Sequence, residues 1–379
     1  MNVIYLPGFV TASESYKASD AVGYGHSTSD VFAKYLPKLG VNLTSYDDKT
    51  HNHDENVEVR RLRWIYRSYE WLIDEVRQKE YDAVMIFHAF QQFPSDVKRI
   101  LADLELRTPL VAYSLGSHWD PTDTFRSLYY PDHSMSDLGN LLCADRVLVV
   151  SRYFRDVVVN NVSKLSKNIA KKLDAKIRVV GLPLNTELLD NHKADKGFEG
   201  TSIIFNHTLL PSKNPFSFLK ICSNLLKKYN DLLIIFTRGP ERNTDQGTLS
   251  LLQTLAKQYP DRVTVGNTMP LSEYYSTLWR SDIQVSTATH ETLGISTLEA
   301  MYTHNCCILP NRCSYPEVTD GYEQVLYGDE DEMLDKLSYF IENESERKRV
   351  SAELARRSLR FSPMNICPKV ADVLEEVSV

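Results

Sequence analysis

The sequence predicts two α/β domains in tandem, each built on a doubly wound parallel sheet. Short apolar runs rich in β-branched residues alternate with longer stretches of helical period, as they do in parallel βα units. This alternation occurs twice, and a polar, irregular segment separates the two series. The length of 379 residues is also sufficient for two globular cores of ordinary size.

The first series predicts a domain over residues 1–184. Its β-rich apolar runs predict six strands: Val3–Leu6, Asn42–Tyr46, Ala83–His88, Leu110–Ser114, Arg146–Ser151 and Ile177–Gly181. Between them, helical periodicity predicts helices that include Thr28–Leu39, Arg63–Gln78 and Ser95–Leu104.

The second series predicts a domain over residues 201–361, after a polar linker at 185–200. Its predicted strands are Ser202–Asn206, Leu232–Thr237, Arg262–Val265, Ile283–Thr287, Cys306–Leu309 and Gln324–Tyr327. The helical pattern breaks at a Ser-Pro pair, so we expect residues 362–379 to form a helix that crosses back to the first domain. Open α/β sheets bind ligands at the carboxyl ends of their strands, so we expect both domains to face a central cleft.

Composition and charge exclude several classes of protein. The formal net charge of -7 disfavours wholesale electrostatic binding to DNA, although a local basic face is compatible with it. The apolar runs fall short of the roughly 20 residues that span a bilayer. We also find no basic, cleavable leader, so we expect no membrane insertion. The six cysteines lack CxxC spacing, which argues against a structural zinc site and predicts a cytoplasmic location.

The segment 286–302 carries the most informative chemistry. A buried strand is expected to end at Thr287, a short turn follows, and a helix starts near Gly294. The positive end of such a helix suits a diphosphate, and glycine lets a ligand approach the backbone. Two carboxylates flank this point and can accept hydrogen bonds from the hydroxyls of a sugar or ribose. The alternative is that the first glutamate only caps the helix and the second is a solvated helix residue. The candidate donor-site residues are Glu291, Thr292, Leu293, Gly294 and Glu299.

These residues resemble a known signature. The pair Glu291 and Glu299 is similar to the donor-site motif of retaining, family-4-type glycosyltransferases of the GT-B fold. The stretch from Ser286 to Glu317, with its Leu-Glu-Ala-Met-Tyr, is similar to the tRNA-queuosine mannosyltransferase family.

The resemblance implies a GT-B fold of two Rossmann-like domains and an enzyme that transfers a hexosyl or pentosyl group. The donor would be a nucleoside-diphosphate sugar bound to the second domain, with the acceptor on the first and no further cofactor. No Asp-x-Asp pair lies near the donor segment, so we expect metal independence.

A second segment, 204–215, is predicted to hold the departing diphosphate. In the resembled families its loop carries an Arg and a Lys that neutralise the phosphates. Lys213 matches the Lys, whereas Thr208 stands at the Arg position and cannot replace a bidentate guanidinium. Arg238, at the end of the next strand, is a candidate for the missing cation. The alternative is that it is a surface arginine at a turn.

Two further loops complete the predicted contacts. Met269 follows the strand at which these folds seat the nucleobase, with plain packing as the alternative. In the first domain, Gly25 and His26 belong to a loop rich in glycine and serine that leads into a helix. The resemblance places this loop in the cleft, although loops of this composition are also common without a ligand.

His118 and Asp120 follow the predicted strand Leu110–Ser114 at its carboxyl end. The resemblance implies that His118 touches the sugar near the reacting carbon. We expect Asp120 either to hold the imidazole tautomer or to contact the acceptor hydroxyl. The alternative is that the histidine is structural.

The sequence leaves the acceptor open. The likeness to the queuosine family favours a modified nucleoside in tRNA, with a hydroxymethylated DNA base as a related candidate. Other hypotheses are a small-molecule, lipid or protein acceptor, and a GT-B-shaped epimerase or sugar-nucleotide binder.

Two basic stretches are compatible with nucleic acid. One places arginines among aromatic residues, for which we favour an amphipathic helix with a buried aromatic face. The other is rich in lysine. Their members are Arg60, Arg61, Arg63 and Arg67, and Lys164, Lys167, Lys171, Lys172 and Lys176.

Overall fold

The computed structural model describes residues 1–7, 24–46, 57–89, 94–123, 133–241, 243–266 and 269–378. The chain divides into two compact units. The first comprises Met1–Pro183 together with Pro363–Val379, and the second comprises Leu184–Ser362. Each unit is built on one sheet of six parallel strands, so the predicted α/β class is confirmed.

The sheet of the first unit contains β1 (Asn2–Leu6), β2 (Asn42–Ser45), β3 (Ala83–Ile86), β4 (Leu110–Ser114), β5 (Arg146–Val149) and β6 (Ile177–Val179). The strands pair in the order β2-β1-β3-β4-β5-β6. The strands β3 and β4 are buried along their whole length, as expected when helices cover both faces of a parallel sheet.

The helices of this unit that precede β6 are α1 (Tyr24–Tyr35), α2 (Val57–Gln78), α3 (Pro94–Asp103), α4 (Ser134–Cys143), α5 (Arg152–Leu165) and α6 (Lys167–Lys176). The arginine-rich helix α2 is amphipathic, as favoured from the sequence. It packs Trp64, Ile65, Tyr69 and Leu72 into the hydrophobic core.

The sheet of the second unit contains β7 (Thr201–Phe205), β8 (Leu232–Phe236), β9 (Val263–Val265), β10 (Ile283–Val285), β11 (Cys306–Pro310) and β12 (Leu326–Tyr327). The order of these strands is β12-β11-β10-β7-β8-β9. The chain therefore adds strands on one side of β7 and then returns to its other side with β10. In open α/β sheets, ligands bind at the carboxyl ends of the strands at such a switch point.

The remaining helices are α7 (Thr186–Asp190), α8 (Pro215–Lys228), α9 (Gln246–Gln258), α10 (Leu271–Arg280), α11 (Ile295–Tyr302), α12 (Tyr315–Val318), α13 (Glu330–Glu342), α14 (Glu344–Ser358) and α15 (Pro363–Ser378). Of the helices in the described part of the chain, none has the length and apolar character needed to cross a membrane.

Helix α1 begins at Tyr24, four residues before the expected start at Thr28. Gly25 and His26 therefore lie in its first turn and not in the predicted loop; their side chains are outside the described part of the structure. Glycine disfavours helix in isolation, but burial of Thr28, Val31 and Phe32 on one face of α1 outweighs that preference.

Residues 185–200, expected to form an irregular linker, lie within the second unit and begin with a helix. The side chain of Asn185 accepts a hydrogen bond from the backbone N–H of Leu188 and so caps α7. The helix that follows has only five residues, too few to show helical periodicity in a polar stretch, so the sequence pattern does not predict it.

Helix α15 is part of the first unit although it comes last in the sequence. Its apolar face buries Ile366, Val370 and Leu374. Near its end, Glu376 accepts hydrogen bonds from the guanidinium groups of Arg146 on β5 (2.8 Å) and Arg178 on β6 (2.6 Å).

Candidate functional site

The loops that follow β7 and β10 meet at the switch point of the second sheet. The Nζ of Lys213 lies 2.8 Å from Oε2 of Glu291 and also donates to the backbone carbonyl of His290 (3.2 Å). Both side chains are largely buried, with 19% and 14% of their surface exposed. Two of the residues predicted from the sequence therefore form an ion pair across this point.

The two loops are tied together by hydrogen bonds to the backbone carbonyls of the loop that carries Lys213. The Oγ1 of Thr287 donates to the carbonyl oxygens of Lys213 and Asn214, both at 2.8 Å. The N–H groups of Thr289 and His290 donate to the carbonyl of Ser212. The position of the Lys213 side chain is thus set by the loop that carries its partner.

The electrostatics of the pair keep Glu291 ionised. Burial acts to raise the pKa of Glu291, but the charge and hydrogen bond of Lys213, together with the neighbouring histidines His207 and His290, outweigh it, so the pKa lies below the ordinary value. Lys213 and Glu291 together form a largely buried ion pair with no net charge.

Gly294 precedes α11 and has a left-handed backbone (φ 89°), a conformation that strains other residues. A Cβ at this position would lie 3.4 Å from both Cγ of Glu291 and Cε1 of Tyr315. Tyr315 is fully buried, and its hydroxyl is hydrogen-bonded to Oγ of Ser286 (2.5 Å). The turn before the helix therefore rests directly on a fixed aromatic ring.

The first backbone N–H groups of α11 precede its regular hydrogen bonds and stand at its positive end, although that of Thr297 donates to the carbonyl of Gly294 (3.0 Å). Thr292 and Leu293 lie in the turn just before it, and the side chain of Leu293 is buried. The predicted anion site therefore lies beside the Lys213–Glu291 pair.

Glu299 lies about one turn along α11, and its Oε2 accepts a hydrogen bond from the Tyr274 hydroxyl of α10 (2.7 Å). Burial raises the pKa of Glu299 to about 7, against the opposing effects of Tyr274, Arg238 and Tyr275. This glutamate is thus not the solvated helix residue of the alternative interpretation.

Arg238 follows β8, the strand next to β7, and its charge acts on Glu299. Its side chain is exposed. Thr208 is half-buried in the loop after β7 and contributes no charge. Arg238 therefore follows the strand next to the one that leads to Lys213, and its role as the second cation stays a prediction.

Behind the ion pair lies a buried polar network that the sequence analysis missed. The Nδ2 of Asn206 donates to the carbonyl of Ser296 (2.7 Å), and its Oδ1 accepts from Gln284 (3.1 Å). The imidazole of His207 lies between Gln284 and Ser296, at 3.4 and 3.2 Å. Burial lowers the pKa of His207 to about 3, and Lys213 acts in the same direction, so this histidine is neutral. The available signal was a glutamine between apolar residues in a predicted buried strand.

Met269 is buried beside the end of β9. A Cβ at Gly266 would lie 2.8 Å from the carbonyl oxygen of Thr237 and 3.2 Å from Cε of Met269. The close approach of these backbones explains the glycine. The burial of Met269 agrees with packing and leaves its predicted contact with a nucleobase as a prediction.

In the first unit, His118 is buried in the loop after β4, and the carboxylate beside it belongs to Asp137 of α4. The Oδ2 of Asp137 lies 3.5 Å from Nδ1 of His118, and accepts hydrogen bonds from the His118 N–H (2.8 Å) and the Ser117 hydroxyl (2.5 Å). The two alternative roles of Asp120, to hold the imidazole tautomer or to contact the acceptor hydroxyl, stay predictions. Asp120 is also buried, but its Oδ1 accepts from the N–H and hydroxyl of Thr122.

The described residues contain no group of three or more His, Cys, Asp or Glu side chains that could hold a metal ion. The six cysteines are all free thiols.

The region that contains this site is similar to known glycosyltransferases. Residues 190–357 match the family model described as glycosyl transferases group 1. The matched region contains Lys213, Arg238, Glu291 and Glu299. A tRNA-queuosine alpha-mannosyltransferase of Drosophila melanogaster is 22% identical over 262 residues, which cover 64% of this chain and 68% of that protein.

Solved structures share the fold at low sequence identity. The N-terminal domain of Candida albicans trehalose-6-phosphate phosphatase has a TM-score of 0.71 at 10% identity, covering 100% of this chain and 97% of that one. Sucrose-phosphate synthase from Thermosynechococcus elongatus gives 0.66 at 10% identity, covering 99% and 98%. Anabaena HepE in complex with UDP and glucose gives 0.67 at 12% identity, covering 98% and 99%. These matches confirm the predicted fold of two Rossmann-like units.

Proposed function

We propose that this protein, a transferase enzyme with a GT-B fold and a group 1 glycosyltransferase domain, transfers a sugar from a nucleoside-diphosphate sugar to an acceptor hydroxyl with retention of configuration. The observation that carries the proposal is the Lys213–Glu291 pair beside the start of α11. An ammonium, a carboxylate and helix amides in one place suit a ligand that joins an anionic diphosphate to a hydroxyl-rich sugar.

The diphosphate would take Lys213 as its counter-ion. Without ligand, the ammonium is neutralised by Glu291. A bound diphosphate brings its own negative charge to the amides of α11 and competes for Lys213. Glu291 is then available to accept hydrogen bonds from hydroxyls of the transferred sugar. Arg238 would supply the second cation, which Thr208 cannot.

The nucleoside would lie toward Glu299. The carboxylate of Glu299, held by Tyr274, can accept hydrogen bonds from the two ribose hydroxyls. The base would lie near Met269, where backbone groups at the end of β9 are available to it.

In the proposed reaction, the bond from the anomeric carbon to the diphosphate oxygen breaks, and a bond to the acceptor oxygen forms on the same face of the sugar. The acceptor proton passes to the leaving phosphate oxygen. Lys213 and the α11 amides stabilise the charge that develops there. His118, whose imidazole lies beside Asp137, would contact the sugar near the reacting carbon. We propose no cofactor and no metal, so EDTA should leave the rate unchanged.

For the acceptor we propose a hydroxyl of a modified nucleoside in tRNA. The support is the Drosophila relative, whose similarity extends over 64% of this chain. The fold-level matches do not bear on the acceptor, since their identities are 10–12%. We propose a cytoplasmic location, where tRNA is abundant.

The donor assignment is tested by thermal shift with UDP-, GDP- and ADP-sugars. One of these donors should raise Tm, because a ligand that binds only the folded state stabilises it. Lys213→Met should weaken that donor at least tenfold, since a hydrogen bond to a charged group contributes about 1.5–3 kcal/mol. Lys220→Met is the matched control. Lys220 is an exposed lysine of α8 that also pairs with a glutamate, Glu330.

If no nucleotide sugar shifts Tm, or if both lysine variants bind the donor as the wild type does, the donor site is misassigned. A donor that binds, is neither hydrolysed nor transferred, and returns as its epimer identifies a sugar-nucleotide epimerase. Binding with no chemical change of the donor identifies a sugar-nucleotide binding protein.

A further inference from the structure

The helix pair α5 and α6 carries a concentration of positive charge that the donor site does not use. Residues 151–180 contain eight Lys or Arg residues and two Asp residues, although the whole protein has a net charge of -7. Both aspartates are engaged by one side chain, because Arg155 binds Asp174 (2.8 Å) and Asp156 (3.3 Å). The eight basic and two acidic residues leave this segment with a net charge of +6.

Four lysines of this helix pair form what we call the basic face. All four are exposed, and none of them forms an ion pair within the described residues, although Lys164 donates a hydrogen bond to Oδ1 of Asn161 (2.8 Å). The other basic residues nearby have structural partners: Lys176 donates to two carbonyls that follow α4, and Arg178 pairs with Glu376. The basic face consists of Lys164, Lys167, Lys171 and Lys172.

This arrangement does not favour the stability of the helices. Lys167 and Lys171 lie one turn apart on the same side of α6, where like charges repel by about 0.2–0.5 kcal/mol. Lys167 is also the first residue of α6, where the helix dipole disfavours a cation. The other exposed residues of α6 are Asn168 and Ala175, and the exposed apolar side chain beside the face is the single Leu165 of α5, so the face has no aromatic anchor of the kind that membrane-surface helices use. The repulsion would be relieved by a ligand with several phosphates.

The basic face is remote from the carboxyl edge of the first sheet. Ser151 caps α5 directly after β5, and Lys164 comes thirteen residues later. At 1.5 Å per residue, about 20 Å of helix separates them. A single nucleoside cannot contact both places, whereas a folded RNA extends far enough to do so.

We infer that the basic face binds the phosphate backbone of the RNA whose nucleoside is glycosylated, at a distance from the reacting hydroxyl. The inference rests on the proposed function, since it takes the acceptor to be RNA. Contacts of this kind position the substrate and carry no sequence information. They predict an effect on binding of the whole RNA and none on the chemistry.

The test compares two triple variants of equal net charge. One is Lys167→Gln, Lys171→Gln, Lys172→Gln in the basic face. The other is Lys227→Gln, Lys257→Gln, Lys369→Gln, which removes three exposed lysines from α8, α9 and α15. Binding of unfractionated tRNA is measured against salt concentration, and donor hydrolysis is measured without RNA. We expect the basic-face variant to bind tRNA at least tenfold more weakly at 0.15 M salt, with a salt slope reduced by about two to three. The control variant should match the wild type, and hydrolysis should be equal in all three.

The outcomes separate this inference from the proposed function. If the wild type glycosylates tRNA and both variants bind it equally well, only the basic face is misassigned. If the wild type hydrolyses donor but neither binds nor glycosylates RNA, the proposed acceptor fails and this inference fails with it. Loss of binding to phosphatidylserine vesicles in the basic-face variant, with tRNA binding unchanged, would assign the face to a membrane surface and overturn the inference.

Discussion

In the proposed complex with a donor, Lys213 and Glu291 would have separable roles. The carboxylate neutralises the ammonium in the free site, but in the proposed complex it leaves Lys213 to the diphosphate. A change at Glu291 should therefore affect the sugar more than the phosphates. The two roles can be measured separately. A nucleoside diphosphate without its sugar offers phosphates to Lys213 but no sugar hydroxyls to Glu291.

We predict that Glu291→Gln binds the nucleoside diphosphate at least as tightly as the wild type, since the competing carboxylate is gone. Transfer should fall by about 10²–10³, the usual effect of removing one group that acts on the transition state. Isothermal titration with UDP and GDP and a turnover assay check the two parts. A variant that loses nucleotide binding together with activity would show that Glu291 is needed to build the site.

Glu299 predicts a pH dependence of donor binding. Its pKa is raised to about 7 by burial. Below pH 7 the protonated carboxyl accepts hydroxyl hydrogen bonds less well, so donor affinity should rise as the pH increases from 6 to 8. Glu299→Gln should bind the donor more weakly and without this dependence. Donor Kd measured across that range, for both proteins, checks the prediction, and an unchanged slope in the variant contradicts it.

The same shift has a consequence of opposite sign for stability. In the unfolded chain Glu299 loses its proton near its ordinary pKa of 4.5, before it does so in the folded protein. The folded state is therefore penalised progressively as the pH rises from about 4.5 to 7, by about 3 kcal/mol at most. This cost is consistent with a carboxylate kept for binding and not for folding.

At the scale of one element, the start of α11 depends on Gly294. Alanine at this position would strain the left-handed backbone by about 1–2 kcal/mol and place its Cβ against Glu291 and Tyr315. We predict that Gly294→Ala lowers Tm and also weakens donor binding severalfold. Gly321→Ala is the matched control, because Gly321 has φ 67° and no atom within 4 Å of a built Cβ. It should lower Tm by a similar amount and leave donor affinity unchanged. Equal donor affinity in the two variants would show that the start of α11 does not contact the donor.

The elements themselves follow closely from the sequence where burial is complete. β4 has the predicted bounds, Leu110–Ser114. An uninterrupted apolar run marks a strand that helices cover on both faces of a parallel sheet, so the ends of the run mark the ends of the strand. The predicted start of α1 is too late, because glycines near Tyr24 lower the helix propensity there. Tertiary packing, which buries one face of the helix, outweighs that low propensity.

The site was predictable only in part. Lys213, Glu291 and Gly294 stand in short motifs, so their proximity to the same sheet edge follows from strand order. Asp137 is nineteen residues from His118 in the sequence and is an ordinary acidic residue in the first turn of a helix. Tyr274 reaches Glu299 from another helix. Pairings of this kind depend on how helices pack, which a local pattern does not specify.

At the scale of the whole molecule, the first unit is completed by the last helix of the sequence. We predict that deleting residues 363–379 destabilises the first unit, because the apolar face of α15 and the counter-ion of Arg146 and Arg178 are lost together. Hydrogen exchange should quicken in β3 and β5, which α15 contacts. β7 and β8 of the second unit are the internal control. Uniform acceleration in both sheets would mean that the units do not unfold independently.

The hydroxyl of Thr287 bridges two carbonyls of the neighbouring loop, so the lysine and the glutamate meet before any substrate arrives. A donor that enters this cradle has little chain to immobilise, and the entropy penalty of binding falls mainly on the sugar nucleotide itself. Thr287→Val removes this bridge but no group that touches the donor. It should therefore weaken donor binding, because the loop that carries Lys213 must then be ordered when the donor binds.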